Sequence, residues 1–112
     1  MTRTLTTTTK LPLSAHQSML EKVIRDGYGM RGKSKWITEA VERLLQLPNY
    51  PELVDIANDM EGMPKIVSLR IPEPLMRQLD KAIIEIRKQY PAMEGVKSSI
   101  LRAGIIQRLI RD

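Results

Sequence analysis

The sequence predicts a mainly helical protein that carries a two-stranded antiparallel β-ribbon. Three observations lead to this class. Residues 65–72, Lys-Ile-Val-Ser-Leu-Arg-Ile-Pro, alternate, with Val67, Leu69 and Ile71 on one side of an extended chain and Ile66, Ser68 and Arg70 on the other. A threonine-rich run near the N-terminus alternates in the same way, and Pro12 stops it as Pro72 stops the later run. After each proline, apolar residues recur at helical spacing in two successive segments, so strand, helix, turn, helix reads twice along the chain.

In the first half, five of the six residues from Thr4 to Thr9 are the β-branched, strand-favouring Thr. Leu5, Thr7, Thr9 and Leu11 share one face; Thr6, Thr8 and Lys10 share the other. Alone, such a run reads equally as a low-complexity tail. Ser14 is placed to N-cap a helix over 15–26, with Ala15, Met19, Leu20, Val23 and Ile24 as its apolar positions. Gly27 and Gly29 end that helix and open a glycine-rich turn, 27–33. The turn lacks Walker A spacing and follows no strand, which argues against a nucleotide site. Ser34 is expected to cap a second helix, 35–46, whose apolar positions are Trp36, Ile37, Ala40, Val41, Leu44 and Leu45.

Residues 47–64 contain three prolines and an excess of acid. Asn49 or Tyr50 at the cap and Pro51 in the first turn mark the start of a short helix that ends before Gly62. The segment reads as a partly structured linker. Beyond the strand at 65–71, Leu75, Leu79, Ala82, Ile83 and Ile86 place a helix at 74–90, closed by Pro91. Ser98 is expected to cap a last helix, 98–111, burying Ile100, Leu101, Gly104, Ile105 and Leu109, with Ile106 and Ile110 widening that face.

Composition narrows the function. The 112 residues include no Cys, which removes disulfides, thiolate nucleophiles and Cys-based zinc sites, and suits a reducing cytoplasm. No apolar run approaches the roughly 20 residues a membrane span needs, and the N-terminus has no apolar signal-peptide core. The net charge of +5 is unevenly spread. Residues 1–45 carry eight Lys/Arg against four Asp/Glu, residues 46–63 carry four Asp/Glu and no Lys/Arg, and residues 64–112 carry ten against five. Two basic segments thus flank an acidic connector. Such a balance fits a polyanionic partner, nucleic acid above all, or simply a basic soluble protein. His16, the one histidine, lies on the exposed side of a helix start, and the helix-spaced carboxylates Glu39 with Glu42 and Asp55 with Asp59 read as solvated faces. No nucleophile, base and orienting group assemble, so no enzyme activity, cofactor or metal is expected.

The halves align at Lys10-Leu11-Pro12 with Arg70-Ile71-Pro72, at Lys33-Ser34 with Lys97-Ser98, and at Ala40-Val41 with Gly104-Ile105. Neither half can bury its own strand, whose backbone groups need a partner. This pattern resembles the ribbon-helix-helix (MetJ/Arc/CopG) superfamily. The clearer match is in the second half: Arg70-Ile71-Pro72 with Leu75 and Leu79-Asp80, then Lys97-Ser98-Ser99-Ile100-Leu101-Arg102. The first half departs from the pattern, with Thr7 and Thr9 where larger apolar residues are usual. Two copies in one chain are similar to the tandem form of TraY-type conjugation proteins.

The resemblance implies two repeats, 1–46 and 65–112, joined by the acidic linker 47–64 into one globular intramolecular pseudo-dimer. It implies that the ribbon enters the major groove of double-stranded DNA, with Thr6, Thr8, Lys10, Ile66, Ser68 and Arg70 toward the bases. Pairing about a pseudo-dyad sets Thr8 opposite Ser68, Thr6 near Arg70 and Lys10 near Ile66. Ile66 either meets a thymine methyl or packs under a loop. Lys33-Ser34 and Lys97-Ser98, at the second-helix starts, either clamp phosphates or simply cap their helices. The implied role is a cytoplasmic bacterial, plasmid or phage transcriptional regulator that is able to self-associate along DNA. Two alternatives stand beside it: an accessory DNA-binding protein of a conjugative relaxosome, and an antitoxin-like interaction module that holds a protein partner through 47–63.

Overall fold

A computed structural model describes residues 3–111. Seven elements follow in order: β1 (Thr4–Leu11), α1 (Leu13–Arg25), α2 (Lys33–Leu45), α3 (Tyr50–Asn58), β2 (Lys65–Pro72), α4 (Glu73–Gln89) and α5 (Val96–Arg111). The protein is mainly helical, with a two-stranded antiparallel sheet formed by β1 and β2. The register sets Thr8 opposite Ser68, Thr6 opposite Arg70 and Lys10 opposite Ile66, the pairing expected about a pseudo-dyad. The threonine-rich run is therefore a strand and not a tail.

The alternation decides what each strand buries. On β2, Val67, Leu69 and Ile71 are all buried. On β1, Leu11 and Thr9 are buried, Thr7 is half-buried and Leu5 is exposed, so the inward face loses its seal toward the N-terminus. A buried Thr needs a partner for its hydroxyl. Thr9 Oγ1 donates to the Ser98 carbonyl oxygen at 2.7 Å, and the Ser98 hydroxyl lies 2.9 Å from Thr9 Oγ1. A two-stranded sheet also leaves two free edges. The first turn of α2 covers the β2 edge, where the Arg70 backbone N–H donates to Ser34 Oγ at 3.0 Å. The first half of α5 covers the β1 edge, where Arg102 Nε donates to the Lys10 carbonyl at 2.8 Å. Each strand is thus held by a helix from the other half of the chain.

The core fills the space under the ribbon. Trp36, Ile37, Val41 and Leu44 of α2 meet Ile100, Leu101 and Ile105 of α5, with Met19 and Val23 of α1 and Leu75, Leu79 and Ile86 of α4 closing the sides. Each fully buried aliphatic side chain contributes about 1.5–3 kcal/mol. The α2–α5 crossing is close because Gly104 has no side chain. A Cβ there would stand 2.9 Å from Val41 Cγ2 and 3.0 Å from Val41 Cα.

Several expectations are corrected. Leu20 and Ile24 stay exposed on α1, as does Ile110 on α5, because nothing packs over those turns. His16 is half-buried and not exposed. Ser14, Ser34 and Ser98 are not caps. α1 starts at Leu13 after Pro12, α2 at Lys33 after Gly32, and α5 at Val96, so each serine lies inside the first turn. The linker is more ordered than expected: α3 buries Pro51, Val54 and Ala57 against α5, and Asn58 Nδ2 donates to the Glu94 carbonyl and to Ser99 Oγ. Among the described residues, no helix is long and apolar enough to cross a membrane.

Candidate nucleic-acid interface

The outward face of the ribbon is built by the strand period alone. Thr6, Thr8 and Lys10 on β1 and Ile66, Ser68 and Arg70 on β2 are all exposed. Ile66, 67% exposed, packs under no loop. The two cations stand at opposite ends, one on each strand, since Lys10 is paired with Ile66 and Arg70 with Thr6. Four residues of strand separate those ends, about 13 Å. No carboxylate occurs in Arg3–Leu11 or Lys65–Pro72. The face is a row of short hydroxyls, one aliphatic side chain and two cations.

The start of α2 adjoins this face. Thr6, Arg31, Lys33, Ser34, Ser68 and Arg70 line one shallow depression beside the ribbon. Three cations converge there, and the Ser34 hydroxyl is occupied in holding the Arg70 backbone. The opposite flank differs. Lys97, half-buried like Lys33, stands in the first turn of α5, the Ser98 hydroxyl faces Thr9, and an exposed carboxylate, Glu94, precedes the helix where Arg31 precedes α2. The two second-helix starts therefore present unequal charge to whatever lies along the ribbon.

The glycine turn that carries Arg31 and Lys33 is pinned from below. Arg108 of α5, buried, lies between two rings, with its guanidinium carbon 4.5 Å from the Trp36 ring centre and 5.2 Å from that of Tyr28. Arg108 Nη1 donates to the Trp36 carbonyl at 2.8 Å and Nη2 to Tyr28 Oη at 3.0 Å. Tyr28 Oη in turn donates to Glu39 at 2.7 Å. Trp36 Nε1 donates to Asp26 Oδ2 at 2.9 Å, and this hydrogen bond, with the charges of Lys22, Arg108 and Arg25, holds the Asp26 carboxyl below its ordinary pKa against a smaller effect of burial. Gly27 and Gly29 have positive φ, and any side chain at Gly32 would collide with the Tyr28 backbone. These glycines shape a turn.

Arg102 performs the matching task on the other side. It is buried, and its Nη1 donates to the Ala57 carbonyl at 2.7 Å while Nε holds Lys10. One side chain thus joins β1, the end of α3 and α5. Burial lowers its pKa, although a guanidinium stays charged. Sequence reasoning assigned no site role to either buried arginine. Arg102 and Arg108 each lie three residues from the buried Ile105, so helical spacing does place them on its face. Comparison with protein-family models, with curated proteins and with solved structures found no match to this chain.

Proposed function

We propose that this protein is a sequence-specific double-stranded DNA-binding protein, acting as a transcriptional regulator, that inserts its β-ribbon into the major groove. The observation that carries the reading is the ribbon face: six exposed side chains in fixed register, with a cation at each end and no carboxylate. A two-stranded ribbon fits a major groove about 12 Å wide. Arg70 is suited to a bidentate contact with guanine. Thr6, Thr8 and Ser68 donate or accept at base edges, Ile66 meets a thymine methyl, and Lys10 reaches a guanine acceptor. Lys33 and Lys97, with the N-terminal turns of α2 and α5, neutralise flanking phosphates. Ser34 and Ser98 hold those turns against the strands.

The two strand-helix-helix series act in this reading as repeats of one pseudo-dimer. The register supports it: the shift that carries Pro12 onto Pro72 also carries Thr8 onto Ser68, which are paired partners. A two-fold axis relating the halves would pass between them. The halves differ at every reading position, so the preferred site is asymmetric.

Arg70→Ala tests the reading in a titration against a selected site and against random DNA. The expected loss on the selected site is about 1–3 kcal/mol with little change on random DNA. Lys33→Ala should instead weaken both alike and lower the salt slope by about one. Equal losses on both DNAs for Arg70→Ala would remove base readout from the account.

A further inference from the structure

Two surfaces outside the ribbon complement each other. The first is a groove between α1 and the glycine turn, lined by Leu20, Val23, Ile24, Met30 and Lys33. Leu20, Ile24 and Met30 are 42%, 61% and 91% exposed, an unusual display of aliphatic surface on one side of a small protein. Cations predominate at its borders. Arg25 and Arg31 follow Ile24 and Met30 in the chain and are exposed, and Lys33 lines the groove itself; the nearby carboxylates are Glu21 on α1 and Asp26 just after it, the latter engaged by the Trp36 indole.

The second surface is the outer side of α3. Ile56 is 64% exposed there. Glu52 precedes it by four residues and Asp59 follows it by three, so one helical stripe reads acid, apolar, acid. Glu61 adds a further exposed carboxylate, and no Lys or Arg occurs between 46 and 63. One surface is an apolar groove bordered by cations; the other is an apolar knob bordered by carboxylates.

We infer that these surfaces join two copies of this chain, with Ile56 of one copy seated in the Leu20–Ile24–Met30 groove of the next. Charge complementarity selects a second copy as the occupant: the acidic stripe and the basic groove each find opposite charge in the other, and like-charged pairings of groove with groove or stripe with stripe are disfavoured. Groove and knob are different surfaces, so the contact pairs unlike patches: it closes reciprocally in a two-fold dimer or repeats from copy to copy. One aliphatic knob and a few charge pairs make a small contact, which belongs to the weak, salt-sensitive class. The inference stands whether or not the ribbon reads DNA.

The absence of cysteine makes the test direct. Ile56→Cys and Met30→Cys each alter an exposed side chain, and oxidation of a mixture reports which surfaces meet. The mixture should form a covalent dimer about tenfold faster than either variant alone and than a mixture of Ile56→Cys with Lys88→Cys, which places a thiol on the exposed side of α4. Adding Arg25→Glu to the Met30→Cys chain should slow the mixed cross-link by about tenfold or more. Cross-linking of Ile56→Cys with itself as fast as the mixture would overturn the groove-to-knob contact. Cross-linking of the mixture no faster than the Lys88→Cys control would overturn the association itself, and leave the groove to a partner of another kind.

Discussion

At the scale of single residues, buried arginines link the outward face to the core. Arg108 lies against Trp36 and Tyr28 and sets the path of the turn that holds Arg31 and Lys33 beside the ribbon. Asp26 completes that cluster through the Trp36 indole. Its depressed pKa fixes the sign of a pH effect. The stability contributed by its ionised form is fully present above the unfolded carboxyl value, about 3.9, and is lost as pH falls through the lower folded value. Asp26→Asn should therefore be less stable than the natural chain at pH 7. The gap in denaturant midpoint should narrow below about pH 4. A gap that stayed constant down to pH 2 would detach Asp26 from the pH response. Little of this cluster was legible beforehand. An arginine in an exposed-looking helix register reads as solvated, and only its spacing from Ile105 marks Arg108 as inward.

At the scale of elements, the strands and helices were legible because their periods differ. The alternation at 65–71 and 5–11 marks the two faces of each strand, the match between the halves sets the expected register, and Met19 with Val23 or Leu75 with Leu79 repeats at helical spacing. The helix starts were not. Serine before an apolar run is a strong capping signal, yet the prolines after the strands and the glycines before α2 and α5 set the starts earlier. Ser34 and Ser98 then serve the strands in place of their own helices. Thr9 is buried on the inward face where the alternation places it, and its hydroxyl finds a partner eighty-nine positions away in the chain, which the sequence does not show. The close approach of α2 and α5 at Gly104 supplies a prediction. Ala favours a helix over Gly by about 1 kcal/mol, but a Cβ at 104 would press into Val41. Overpacking of this kind costs about 1–3 kcal/mol. Gly104→Ala should lower the urea midpoint, and a raised midpoint would show that α2 and α5 separate freely.

At the scale of the molecule, the halves are interlocked: β1 is covered by α5 and β2 by α2, while α3 fastens the connection between them. Removing residues 1–11 would strip β2 of its strand partner and expose Val67 and Leu69 beneath it. The truncated chain should lose cooperative unfolding altogether, as followed by circular dichroism against denaturant. A transition matching that of the full chain would make β1 dispensable. The acidic connector, read from sequence as a linker, has become a docked helix with one exposed isoleucine, which composition alone does not distinguish from a solvated tether.

The central claim is that the ribbon face reads base sequence, and selection of bound fragments from a random double-stranded DNA library tests it most directly. The account predicts enrichment of one asymmetric site, with guanine at positions facing Arg70 and Lys10, and an affinity that falls steeply with salt. Recovery of fragments with no common sequence would contradict it, as would binding that does not respond to salt.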